Sequence, residues 1–143
     1  MCYADSSFLI AWFHPADEFA LPVTEWARAH VTDFIWNPVL RMEVRHNLRK
    51  LRTSYARTAW NAYRASEINR RLVLDRTSLA DLLRLADELS AEKANQISAG
   101  TWDFVHVAAF LETKAQYFAT LDKLQAELAS TVVSTRRVKL FRK

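Results

Sequence analysis

Short apolar runs alternate with longer amphipathic ones along this chain, and that alternation constrains its fold more than any other feature. Residues 1–4 are apolar and meet Asp5 at once. Asp33-Phe-Ile-Trp-Asn37, Leu72-Val-Leu74 and Gln116-Tyr-Phe-Ala-Thr120 repeat the pattern. Such runs suit buried strands, and the stretches between them carry helical spacing. The order predicts an α/β fold: a three-layer sandwich whose central, mostly parallel sheet of four to five strands is flanked by helices. With 143 residues, a single domain over 1–143 is expected, with 136–143 as a basic tail.

The helix signals are local. Ser6 or Ser7 can cap a first helix over Phe8–Phe13, which His14-Pro15 ends. A second helix is expected over 16–30, with Pro22 kinking it or delaying its start. Asn37 caps and Pro38 opens a third, through Leu51. Thr53 or Ser54 begins a fourth, to about Asn69. Ser78 caps a fifth with Leu79, Leu82, Leu83, Leu85, Ala86 and Leu89 on its apolar side. Residues 90–98 are a helical end or a short helix of their own. Thr101 opens the next helix, through Leu111, and 123–129 form a short one. Thr131-Val-Val133 reads as a last strand at the sheet edge.

The single glycine, Gly100, excludes a glycine-rich phosphate loop and a dinucleotide fingerprint. The single cysteine, Cys2, excludes a disulfide framework and a cysteine-based zinc site, and suits a reducing compartment. No stretch reads as a leader or a membrane span, so a cytoplasmic location is expected.

Charge is unevenly placed. Nine of the 20 Lys and Arg fall within residues 41–71 beside two Glu, and residues 136–143 hold five more and no acid. A surface for a polyanion is one reading; a solvated helix face plus a frayed tail is the other. Arg41, Arg45, Arg49 and Arg52 recur at three- and four-residue steps, so they are expected to share one face and hold nucleic-acid phosphates.

Parallel sheets place their sites beyond the C-terminal ends of the strands, which makes four acids informative. Asp5 ends the first strand, and Asp122 lies just past the fourth. Glu43 is in the helix after the second, and Asp103 is in the first turn of the helix after Gly100. Four carboxylates on one rim repel unless a cation joins them. Hard oxygen ligands suit Mg²⁺, with Mn²⁺ chemically close. Each acid also has a plain structural reading. Asp5 and Asp122 can cap helices, Asp103 can face a helix N-terminus, and Glu43 can pair with Arg41, Arg45 or Asn47.

Four segments, "YADSSFLIAWF", "NPVLRMEVRHNLRK", "TWDFVHVAAF" and "YFATLDKLQAELA", resemble in order the four motifs of the PIN-domain family, most nearly its toxin ribonucleases of the VapC type. The resemblance implies a PIN-like fold and a Mg²⁺- or Mn²⁺-dependent endoribonuclease. An RNA-processing nuclease or a catalytically silent RNA-binding module of the same fold are the alternatives. It implies that Asp5, Glu43, Asp103 and Asp122 form the catalytic and metal-binding quartet. Ser7 and Thr120 match its supporting hydroxyls. It also implies a homodimer and, for a toxin, a cognate antitoxin protein.

His106 lies three residues after Asp103; a buried histidine bonded to a carboxylate or backbone outweighs a metal ligand there. His46 faces RNA or solvent, while His14 and His30 read as turn and surface residues. Trp60, Tyr63 and Tyr55 can stack bases, although core or interface packing fits their spacing better. Phe8, Trp12, Phe13, Trp26 and Trp36 are expected mostly in the core, any exposed remainder marking a protein interface.

Overall fold

The computed structural model describes residues 1–142. Five strands, β1 (Cys2–Ala4), β2 (Phe34–Trp36), β3 (Leu72–Leu74), β4 (Tyr117–Thr120) and β5 (Val138–Leu140), form one sheet in the order β3-β2-β1-β4-β5. All four ladders are parallel. The central strand β1 is buried along its whole length, as a strand covered on both faces must be. The expected α/β sandwich is therefore the fold, with the sheet parallel throughout.

Helices α1 (Ser6–Phe13), α2 (Ala20–His30), α3 (Pro38–Lys50) and α4 (Ala56–Ile68) pack among themselves in one group. Helices α5 (Leu79–Lys93), α6 (Thr101–Glu112) and α7 (Lys123–Val132) pack in another. Pro22 falls in the first turn of α2, where its missing N–H breaks no helical bond. Asn37 caps α3 as expected, its Oδ1 accepting from the Leu40 N–H at 2.8 Å. The cap of α1 is Asp5 rather than Ser6 or Ser7. Helix α4 starts at Ala56, after Tyr55, with no side-chain cap from Thr53 or Ser54.

Two expectations at the C-terminus are corrected. Thr131 and Val132 belong to α7, where the Thr131 hydroxyl donates to the Leu128 carbonyl and Ser130 to that of Ala126. The last strand comes from the basic tail. A 3-10 turn over Thr135–Arg137 leads into β5, which pairs with β4, and Phe141 is buried against Phe8 and Trp26. An edge strand that carries Lys is a common defence against sheet-to-sheet aggregation.

The early aromatics are core: Phe8, Phe13 and Trp36 are buried, and Trp12 and Trp26 pack partly buried against them. Tyr63 is fully buried, while Tyr55 is exposed. His14, expected in a turn, lies just after α1 and is buried, with Nε2 3.2 Å from the Thr53 hydroxyl. No described helix is long and apolar enough to cross a membrane.

Candidate active site

The sheet builds the site from its centre outward. The Asp5 N–H donates to the Ala119 carbonyl, so β1 and β4 deliver Asp5 and Thr120 side by side. Asp5 then turns the chain into α1, its Oδ1 accepting from the Phe8 N–H at 2.9 Å. Ser7 Oγ lies 2.8 Å from both Asp5 oxygens, and Thr120 Oγ1 donates to Oδ2 at 2.9 Å. Each hydroxyl also accepts a backbone N–H from the turn after β4: Ser7 from Leu121, Thr120 from Asp122. The two hydroxyls thus fasten the β4–α7 turn to the Asp5 carboxylate. Burial pushes the Asp5 pKa up, although the Phe8 N–H and the two hydroxyls oppose that rise.

Asp122 caps α7, with Oδ1 accepting from the N–H groups of Leu124 and Gln125. Its Oδ2 takes no partner among the described residues. Gln125, in the first turn of α7, donates from Nε2 to Asp103 Oδ1 at 3.0 Å, and its own buried Oε1 has no partner. Asp103 Oδ2 accepts from the Gly100 N–H. A Cβ at position 100 would stand 3.3 Å from that oxygen, a tight contact that the Asp103 side chain would have to yield to.

Glu43 is reached from the other side. Its Oε2 lies 2.9 Å from His106 Nε2, and His106 Nδ1 lies 3.0 Å from the Tyr3 hydroxyl. Asn37 Nδ2 donates to the same hydroxyl at 3.3 Å. The donor directions follow from the cap of α3. Because Asn37 Oδ1 accepts from Leu40, its Nδ2 is the group that faces Tyr3. The Tyr3 O–H is then free to donate to His106 Nδ1, which leaves the ring proton on Nε2 to donate to Glu43. Burial is the largest influence and works against the Glu43 charge, but His106 and the Ser6 hydroxyl together outweigh it and hold the pKa below the ordinary carboxylate value.

The four acids therefore share one rim of the sheet. Asp5, Asp122 and Asp103 are joined through Thr120 and Gln125, and Glu43 is joined to Tyr3 of β1 through His106. Among the described residues, no three His, Cys, Asp or Glu side chains stand within reach of one ion. The expected four-carboxylate cage is not assembled in this conformation: Asp5 and Asp122 cap helices, Asp103 closes onto Gly100, and Glu43 pairs with His106 rather than with Arg41, Arg45 or Asn47. The donor types still fit a hard dication. All are carboxylate oxygens, Asp122 Oδ2 is free, and Gln125 Oε1 is orphaned beside Asp103. Mg²⁺ keeps several waters and takes one or two carboxylates directly, so a closed cage is not required.

The arginines lie elsewhere. Two residues advance an α-helix by about 200°, so Arg41 and Arg45 point away from Glu43 on α3. Arg41 bonds Glu67 at 2.8 Å. The guanidinium groups of Arg45 and Arg49 sit 5.7 and 5.3 Å from the centre of the Trp60 ring. Arg52 lies beyond the end of α3 and is exposed. His46 is also exposed.

Sequence reasoning assigned no role to Tyr3 or Gln125, and gave Asn37 only the cap of α3. Gln125 stood inside the quoted fourth motif, but nothing in the sequence pairs it with Asp103. Tyr3 looked like strand filling; its hydroxyl acquires a partner only when α6 is laid against β1.

No protein-family model and no curated protein matches the chain. Its fold is similar to that of Mycobacterium tuberculosis VapC20, a sarcin-ricin loop cleaving toxin. The TM-score is 0.70 at 14% identity, covering 94% of this chain and 98% of that one. At that identity the likeness establishes the shared PIN-like fold.

Proposed function

We propose that this chain is a metal-dependent endoribonuclease of the VapC type that hydrolyses phosphodiester bonds in RNA as the toxin of a toxin–antitoxin pair. One observation carries the reading. On a fold shared with a toxin that cleaves the sarcin-ricin loop, a buried carboxylate, Asp5, ends the central strand and is held by two hydroxyls. A carboxylate kept out of water without a cationic partner is costly for stability alone and suits a site that receives a cation.

Asp5, Asp103 and Asp122 are the residues that would hold Mg²⁺ or Mn²⁺, with Glu43 as a further ligand or as the base that takes the proton of the attacking water. The bound cation supplies charge neutralisation at the phosphodiester and a more acidic water. Ser7 and Thr120 hold Asp5 in one orientation, and Gln125 does the same for Asp103. His106, donating from Nε2, keeps Glu43 ionised and aimed. Arg45 and Arg49 bind flanking phosphates, with Arg41 and Arg52 adding to the basic field. The toxin works in the cytoplasm as a homodimer neutralised by a cognate antitoxin. Leu79 and Leu83 on α5 and Trp102 on α6 are among the exposed apolar side chains available to such partners.

The test is cleavage of a mixed RNA pool with Mg²⁺ or Mn²⁺ by the wild type, Asp5→Asn and Asp103→Asn. Cleavage lost in both variants is the expected result. Wild type and variants alike in being inert favour the alternative of a silent RNA-binding module, which the capping roles of Asp5 and Asp122 also suit. Expression without a partner separates a toxin, which arrests growth, from an RNA-processing nuclease.

A further inference from the structure

We propose that the groove between α3 and the outer strand β3 is a nucleotide subsite, taking one base and its adjoining phosphates from a single-stranded RNA that continues to the acids. This rests on the ribonuclease reading above. The groove encloses about 670 Å³, within the range of small-molecule sites. Its floor is apolar, formed by Trp36, Leu72 and Leu74, and Met42 stands at its edge; Leu74 and Met42 are 54% and 63% exposed.

One wall is cationic. Glu67 is the single acid lining the groove, and its two oxygens are taken by Arg41 and Arg64. Arg45 and Arg49 are left with no carboxylate and rest against Trp60. Arg45 Nε is buried without an acceptor, a state native proteins seldom leave unmatched. An apolar floor beside guanidinium groups that lack anions has the chemistry of a base-and-phosphate site.

Position favours RNA over an acidic peptide. Trp36 and Leu74 are the last residues of β2 and β3, and Pro38 opens α3, so the groove begins on the rim that carries Asp5. Glu43 projects from the opposite side of α3. A strand crossing the start of that helix would join the groove to the acids.

The probe is a short single-stranded RNA containing 4-thiouridine, bound to the Asp5→Asn protein so that it is not cut. Irradiation is expected to cross-link it within residues 36–49. Arg45→Gln with Arg49→Gln should abolish that cross-link and weaken binding at least about tenfold. Loss of two phosphate contacts should make the salt dependence shallower by about 1.4 in log–log slope. Arg49→Gln alone, on an exposed side chain, should give about half that change, and it serves if the double variant does not fold. Arg84→Gln with Lys114→Gln, far from the groove, should match the parent. Binding unchanged in the groove variants, or cross-links elsewhere, overturns the subsite while wild-type cleavage keeps the ribonuclease reading. A wild type that neither binds nor cuts RNA overturns both.

Discussion

The Tyr3 hydroxyl meets His106 Nδ1 at 3.0 Å in the core, and this bond decides which face of the imidazole Glu43 receives. A strand residue thereby orients a helix residue, which in turn orients a carboxylate on a third element. Tyr3→Phe should release that constraint. The Asn37 amide and His106 Nδ1 lose a buried partner, at a cost of about 1–3 kcal/mol in urea unfolding. Nitrogen-15 spectra should show His106 leaving its single Nε2–H tautomer. RNA cleavage should fall in kcat with KM little changed, because Glu43 loses its aim rather than the substrate its contacts.

Asp5 and Glu43 respond to pH in opposite senses. Burial raises the Asp5 pKa above its ordinary 3.8. The folded protein therefore favours the protonated acid, and stability declines as pH rises from that value through the raised one. Asp5→Asn cannot ionise, so in metal-free urea titrations it should gain on the wild type across this rise and run parallel above it. For Glu43 burial is outweighed by His106 and Ser6 acting together, and the pKa lies below 4.5. Its contribution is whole above 4.5 and lost as pH falls through the lower folded value. Glu43→Gln should lack that acid loss.

Added cation should stabilise the protein through the acids. At a hundredfold excess over Kd, linkage adds about 2.7 kcal/mol, read as a higher Tm. Mg²⁺ or Mn²⁺ should raise the Tm of the wild type and leave that of Asp5→Asn unmoved. An equal rise in both would place the ion away from Asp5.

The basic tail is a structural strand, and Phe141 is its anchor. The ring packs 5.4 Å from Phe8 and 5.8 Å from Trp26, centre to centre, and the Phe141 N–H donates to the Thr120 carbonyl. Phe141→Ala should cost about 3 kcal/mol in chemical denaturation, as a buried ring does. Because Thr120 holds Asp5, the same change should slow RNA cleavage. A tail that only attracts RNA would leave stability untouched.

Much of this protein is written locally. Apolar triplets that end in a polar residue mark β1 and β2, Asn37-Pro38 marks the start of α3, and Asp5 and Asp122 stand at strand ends whatever surrounds them. Those features depend on backbone dihedrals, caps and hydrophobic period, which neighbours along the chain set. Even the opposed directions of Glu43 and Arg45 follow from helical arithmetic. Tertiary packing decided the rest. Thr131 and Val132 favour strand by composition, yet α7 keeps them helical because its buried face, Leu128 and Ala129, continues into that turn. Val138–Leu140 becomes a strand because β4 offers an open edge. The bonds from Tyr3 to His106 and from Gln125 to Asp103 join residues 103 and 22 positions apart. No local signal encodes such pairs; they exist only once the sheet brings α6 and α7 to the rim where Asp5 waits.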